Sequence, residues 1–191
     1  MKRRLVLLGP PGSGKGTQGE LLAASLGVPV ISTGGLFRDQ MSRGTPLGIE
    51  AKSYMTQGQL VPDRVTNDMV RDRLSQADAA DGCVLDGYPR NVAQVGVLDQ
   101  ILAERTWRID AAVELRLPED LIVERLLRRA VLESRPDDTE PVIRERLAVY
   151  HRQTEPIAQI YQTRGLLVTI DGDGLVEEIT RRISQALRAE A

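Results

Sequence analysis

A short apolar run, Leu5-Val6-Leu7-Leu8, leads straight into Gly9-Pro10-Pro11-Gly12-Ser13-Gly14-Lys15-Gly16-Thr17. The run reads as a buried strand, and residues from about 14 to 26 read as a helix. Between them lies a loop with the spacing of a phosphate cradle. Its glycines let successive backbone N–H groups turn onto phosphate oxygens, and Lys15 reaches the β- and γ-phosphates. The following helix points its positive N-terminal end at the same anion. Gly12, Ser13, Gly14, Lys15, Gly16 and Thr17 are therefore candidate ligands of a nucleotide triphosphate. The residue after Lys15 is Gly16 rather than Ser or Thr, so the hydroxyl on the magnesium side falls to Thr17 or elsewhere.

A strand–loop–helix start of this kind belongs in an α/β layer fold, and the rest of the chain agrees. Strand-like runs recur at Val28–Ile31, Cys83–Asp86, Ala111–Leu117 and Leu166–Ile170, with amphipathic helical stretches between them. That alternation predicts a parallel sheet covered on both faces. From Thr33 to Val61 the chain reads as helical with no strand, as an insert on the sheet. Ala130 to Asp138 reads as a short charged loop between two helices. The long helix expected after it, about 139 to 164, contains Pro156 and should kink there.

Bulk properties narrow the function. The 191 residues suit one compact domain. Aromatics are only 3%, so Leu, Val, Ile and Ala must fill the core. A net charge of −2 argues against a nucleic-acid binder relying on bulk charge. The single cysteine, Cys83, excludes an internal disulfide and a Cys-rich zinc site, and its apolar surroundings suggest a buried small hydrophobe. The apolar run after Met1-Lys2-Arg3-Arg4 is too short for a secretion signal, and no stretch approaches membrane-spanning length; a cytoplasmic location is expected.

Asp86 closes an apolar strand and should face the ligand crevice at its carboxyl end, where it can orient magnesium-bound water; a turn-forming role for Asp86 in Asp86-Gly87-Tyr88-Pro89 is the alternative. Arg125 and Arg129 lie four residues apart on one helix face. Arg135 sits in the charged loop, Arg146 early in the next helix, and Arg38 and Arg90 follow glycine-rich turns. As a set these read as phosphate clamps, because the guanidinium fork binds phosphate bidentately. Asp137 and Asp138 fit either a helix N-cap or partners of the arginines in loop closure. His151 reads as structural or solvated, and Trp107, Met41, Met55 and Met69 read as core or contact residues. No general base stands out, and an anionic phosphate acceptor needs none: charge neutralisation, alignment and water exclusion suffice.

Taken together, Gly9–Gln18, Ile31–Arg38, Leu85–Arg90, Arg135–Asp138 and Arg144–Leu147 with Tyr150-His151 resemble the adenylate kinases, and the resemblance covers nearly the whole chain. It implies a P-loop three-layer α/β sandwich with a five-stranded parallel sheet, a single kinase domain over 1–191. The core would comprise 1–32, 62–129 and 139–191, with an NMP-binding insert at 33–61 and a short lid at 130–138. It implies reversible, Mg²⁺-dependent transfer of the ATP γ-phosphoryl group to AMP, giving two ADP, by a monomer with no nucleic-acid or membrane partner. By motif, Lys15, Arg90, Arg125, Arg135 and Arg146 are implied as catalytic. Arg125 would also stack on the ATP adenine, and Arg129 is a second basic position on the ATP side. The AMP site would comprise Thr33, Arg38, Val61, Gly87, Arg90, Gln94, Arg135 and Arg146, with Thr33 and Gln94 reading the adenine. Magnesium would be held by substrate phosphates and water, with Thr17 and Asp86 nearby, and no zinc is implied because the short lid lacks the cysteine-bearing hairpin. One departure from the family pattern is Gly35, where an Asp or Glu is usual.

Two alternatives remain at this stage. A UMP/CMP kinase would share the short lid but usually carries a small residue such as Ala at the position of Thr33. A P-loop regulatory switch that binds guanine nucleotides would need an Asn-Lys-x-Asp motif, and the chain has no Asn-Lys pair.

Overall fold

A computed structural model describes residues 2–132 and 139–189. Five strands, β1 (Arg4–Leu8), β2 (Val30–Ser32), β3 (Cys83–Asp86), β4 (Ala111–Arg116) and β5 (Leu167–Asp171), form one sheet in the order β2-β3-β1-β4-β5. Every pairing is parallel. The five-stranded parallel sheet expected from the sequence is present. Because β1 and β3 connect outward in opposite directions, the crevice opens at the carboxyl ends of the central strands.

The central strands are mostly apolar because both faces are covered, with Arg4, Asp86, Glu114 and Arg116 the charged exceptions. Val6, Leu8, Leu85 and Ala112 pack on one face against α5 (Val92–Ala103) and α8 (Pro156–Thr163), through residues such as Leu98, Ile101, Ile157 and Tyr161. Leu5, Leu7, Val84, Val113 and Leu115 pack on the other against α1 (Lys15–Leu26) and α9 (Val176–Ala189), through Leu22, Ile179 and Ile183. This is the three-layer arrangement. Cys83 lies within the first core, and burial pushes its thiol up to about 12, which leaves it inert at neutral pH.

Two strands start later than the apolar runs suggest, for a common reason. Gly27 and Gly165 adopt left-handed backbone at helix ends, and the next residue folds back: Val28 N–H donates to Ala23 O at 3.1 Å, and Leu166 N–H to Tyr161 O at 2.9 Å. Those N–H groups serve helix termination and are lost to the ladder.

The segment after β2 contains α2 (Thr33–Ser42) and α3 (Pro46–Met55), followed by α4 (Asp63–Leu74). Phe37, Ala51, Val61 and Val65 form a small core of their own there. Ser32 and Thr45 cap α2 and α3 by accepting from Gly35 N–H and Gly48 N–H. The expected kink at Pro156 appears as a break. Helix α6 (Glu119–Leu132) precedes the undescribed segment, and α7 (Glu140–Val149) follows it. Beyond α7, a wide five-residue π turn, Tyr150–Thr154, leads to Pro156 at the first turn of α8. Pro156 has no N–H to give, and its ring excludes a carbonyl one α-turn back. The chain answers with a longer bond, Glu155 N–H to Tyr150 O at 2.9 Å.

Two glycines within helices should respond oppositely to a methyl group. A Cβ at Gly48 would run into the backbone carbonyl of Gln40, so α2 and α3 would have to separate. A Cβ at Gly96, exposed in α5, meets nothing within 4 Å. Denaturant titration should show Gly48→Ala destabilised by about 1–3 kcal/mol and Gly96→Ala stabilised by about 0.5–1 kcal/mol.

Candidate active site

The cradle is built at the end of β1. Gly9, Gly12 and Gly14 have φ of 137°, 81° and 91°, values that side-chain-bearing residues rarely adopt. Gly14 is the N-cap of α1, which has no side-chain cap and no acidic residue in its first turn, so the helix offers bare N–H groups to an anion. Lys15 folds back across the loop: its Nζ donates to Gly9 O and Pro10 O, both at 2.7 Å, and approaches Ser13 Oγ at 3.3 Å. Burial pushes the ammonium down to about 8; Asp86 opposes the shift, while Arg90, Arg146 and Arg129 reinforce it.

This loop floors an open cleft of about 730 Å³. Gly12, Gly14, Lys15, Gly16 and Thr17 line it, with Asp86 from the end of β3. Ser13 does not; it is buried beneath the loop. Arg38 comes from α2, Arg90 from the turn after β3, Arg125 and Arg129 from α6, and Arg146 from α7. Five arginines scattered over 109 positions of sequence thus share one wall system. Arg90 is pushed down to about 10 by burial and by Arg146 and Arg38, with Asp86 in opposition. Asp86 is in turn steadied by Ser32 Oγ, which donates to its Oδ2 at 3.2 Å. Arg135, Asp137 and Asp138 lie outside the described residues.

A smaller recess of about 50 Å³ adjoins the cleft and is lined by Thr33, Val61, Gly87, Arg90 and Gln94. Its geometry centres on Gly87, whose φ is 76°. The Gly87 carbonyl accepts from Thr33 Oγ1 at 2.8 Å and from Arg90 Nε at 2.9 Å. A Cβ on Gly87 would come within 2.9 Å of both side chains, so only glycine lets them converge. Gln94 is 2% exposed, and its amide is held at both ends: Oε1 accepts from Arg90 N–H at 2.7 Å, and Nε2 donates to Asp63 Oδ1 at 2.7 Å.

Some contributors are not evident from the sequence reading. Arg128, on α6 beside Arg129, also lines the cleft; the Arg128-Arg129 doublet was the available signal. Arg125 is tethered to the loop after β5, donating to Gly172 O at 3.3 Å and lying 3.6 Å from Asp173. Two glycines just beyond a parallel strand's carboxyl end could have marked that loop. Thr154, delivered by the π turn, donates to Arg90 O at 2.7 Å and lines the cleft. No local pattern points to it. By contrast, Trp107 packs against the core with Arg4 4.4 Å from its ring, and exposed His151 pairs with Glu155.

A sequence-family model for adenylate kinase matches residues 7–166. The chain belongs to the adenylate kinase family. It is 52% identical over 184 residues to an adenylate kinase of Micrococcus luteus, covering 96% of this chain and 90% of the relative. An adenylate kinase of Thermobifida fusca is 50% identical over 188 residues, covering 98% and 100%. One from a Nocardioides species is 53% identical over 184 residues, covering 96% of each. The chain is accordingly a nucleotide-binding phosphotransferase with a phosphate acceptor, and its function is that of an adenylate kinase. The pyrimidine-kinase and switch readings find no support among these relatives.

The lowered Lys15 value has a measurable consequence. A phosphate docked on the ammonium favours its charged form, so binding and protonation are linked. Calorimetry with inorganic tripolyphosphate in buffers of different ionisation enthalpy should show net proton uptake around pH 8. Affinity should fall as pH rises from about 7 to 9. In the empty protein the same group acts with the opposite sign: between about 8 and its ordinary value near 10.5 the unfolded chain holds more protons, so its contribution to stability rises with pH. Flat affinity and no proton uptake would place the anion elsewhere.

Proposed function

We propose that the cleft transfers the γ-phosphoryl group of ATP reversibly to AMP, giving two ADP, with the two nucleotides' phosphates meeting between Lys15 and Arg90. The observation that carries this reading is the gathering of Lys15, Arg90, Arg146 and Asp86 at one place, with the recess of Thr33, Gly87 and Gln94 beside it. Lys15 and the bare N–H groups of α1 bind the donor's phosphates and neutralise charge that builds on the bridging oxygen. Arg125, held by Gly172 and Asp173, offers a guanidinium face to the donor base, and Arg129 adds charge on the same side. Arg38 and Arg90 hold the acceptor phosphate, and Arg146 reaches both substrates, joined by Arg135 from the lid. Thr33, Gln94 and the Val61 backbone enclose the acceptor's adenine. The acceptor is already ionised at neutral pH, so alignment and water exclusion replace a general base.

Magnesium fits the donors present. Thr17 and Asp86 bring hard oxygens to the cleft, and among the described residues no group of three His, Cys, Asp or Glu side chains could hold a metal by itself. Such an ion would rest mainly on substrate oxygens and water, and it supplies charge neutralisation across the β- and γ-phosphates. Segments 33–61 and 130–138 act as an AMP-side insert and a lid that close on a core of 1–32, 62–129 and 139–191. Among the described residues no helix is long and apolar enough to cross a membrane. A cytoplasmic monomer serving nucleotide biosynthesis completes the reading.

A coupled assay of ADP formation across AMP, UMP, CMP and GMP tests it. AMP should exceed UMP and CMP by at least about ten- to hundredfold in kcat/KM. Lys15→Met should lower kcat by about two orders of magnitude or more while leaving a folded protein. Turnover of UMP or CMP equal to that of AMP, or near-normal turnover in Lys15→Met, contradicts the assignment.

A further inference from the structure

Gln94 reads the acceptor base in the proposal above, yet an amide alone is a poor discriminator. Rotated by half a turn, it exchanges donor for acceptor at little cost. Adenine presents an N6 donor beside an N1 acceptor. A 6-oxopurine presents the reverse, an O6 acceptor beside an N1 donor. A freely turning Gln94 could satisfy either base.

The surroundings forbid that rotation. The partner of Nε2 is the Asp63 carboxylate, which can only accept, at 2.7 Å. The partner of Oε1 is the Arg90 backbone N–H, which can only donate, at 2.7 Å. Together they permit one orientation of the amide, because the rotated one sets donor against donor and acceptor against acceptor. Gln94 is 2% exposed, so water cannot compensate a mismatched rotamer. The same carboxylate also orders the next amide: Asn91 Nδ2 donates to Asp63 at 2.9 and 3.0 Å, and Asn91 Oδ1 accepts from Gln94 N–H at 2.9 Å, capping α5. Asp63 belongs to the first turn of α4, just past the insert segment, and it does not line the recess.

We infer that Asp63 is a positioning residue for base selection: its carboxylate locks the Gln94 amide, leaving one N–H and one oxygen lone pair in the order that matches a 6-aminopurine and opposes a 6-oxopurine. The inference rests on the reading of Gln94 as a ligand of the acceptor base. It requires a negative charge at residue 63, since a neutral amide there could turn with Gln94 and restore both hydrogen bonds.

The test compares AMP with inosine monophosphate, which differs only at the 6-position and N1, using ATP as donor. The unsubstituted enzyme should prefer AMP by about a hundredfold or more in kcat/KM. Asp63→Asn, close to isosteric, should narrow that ratio by about tenfold or more, with a raised KM for AMP and with kcat and the KM for ATP nearly unchanged. A ratio within about twofold of the unsubstituted enzyme overturns the inference, as does a uniform fall in kcat for both acceptors. Gln94→Leu separates the two layers. If it erodes the ratio and Asp63→Asn does not, the locking role fails and the base-reading role stands; if Gln94→Leu leaves the ratio intact, both fall. A second measurement does not depend on a variant folding. In the unsubstituted protein free of nucleotide, NMR should show one Nε2 proton of Gln94 shifted downfield by the carboxylate and exchanging slowly with solvent. Shifts of a free side-chain amide with fast solvent exchange contradict a locked amide.

Discussion

Cations crowded around the Asp86 carboxylate define this molecule. Lys15 and Arg90 are both pushed down from their ordinary values, first by burial and then by neighbouring positive charge, with Asp86 in opposition to each. Such a cluster is unfavourable in an empty cleft and becomes favourable when phosphate oxygens enter it. The fold must therefore hold the charges in place without help from one another. It does so with backbone carbonyls. Gly9 and Pro10 receive Lys15, Gly87 receives Arg90, and Gly172 receives Arg125. For Lys15 and Arg90 these neutral acceptors fix geometry while leaving the charge available to a ligand, whereas Arg125 is also paired with Asp173.

Sheet topology puts those carbonyls within reach. Gly9, Gly87 and Gly172 each follow the carboxyl end of a parallel strand, β1, β3 and β5. Strand order brings these ends to one edge of the sheet, and the left-handed backbone at Gly9 and Gly87 turns the chain sharply there. The helices supply the remaining arginines. The π turn before Pro156 carries Thr154 to the Arg90 carbonyl, so a helix irregularity forced by proline supports the turn that presents Arg90.

Local chemistry explains what the sequence disclosed. The cradle, Asp86 and the core strands announce themselves because each depends on neighbours in the chain: glycine spacing, an apolar run, a carboxylate at its end. Strand starts at Val28 and Leu166 were misplaced because an apolar residue just past a helix-ending glycine serves the helix cap first. The arginine set was legible as phosphate clamps from its placement beside turns and on one helix face. Its division between two substrates came only from the family pattern, since no periodicity links Arg38 to Arg146. Asp63 and Thr154 were invisible: an acidic residue at a helix start and a threonine before a proline have ordinary explanations, and their partners lie 31 and 64 residues away. The sequence placed Gln94 at the adenine without its partners; the structure commits one N–H and one lone pair of its amide to Asp63 and Arg90.

The central claim is that one cationic cleft receives the phosphates of both nucleotides. A crystal structure with a bisubstrate analogue, two adenosines joined by a phosphate chain, tests it most directly. The phosphate chain should lie between the N–H groups of α1 with Lys15 at one end and Arg38 with Arg90 at the other, Arg146 contacting the middle. One adenine should lie in the recess of Thr33, Gly87 and Gln94 and the other against Arg125. A phosphate chain that bypasses Lys15 or Arg90, or a recess left empty by both adenines, would contradict it.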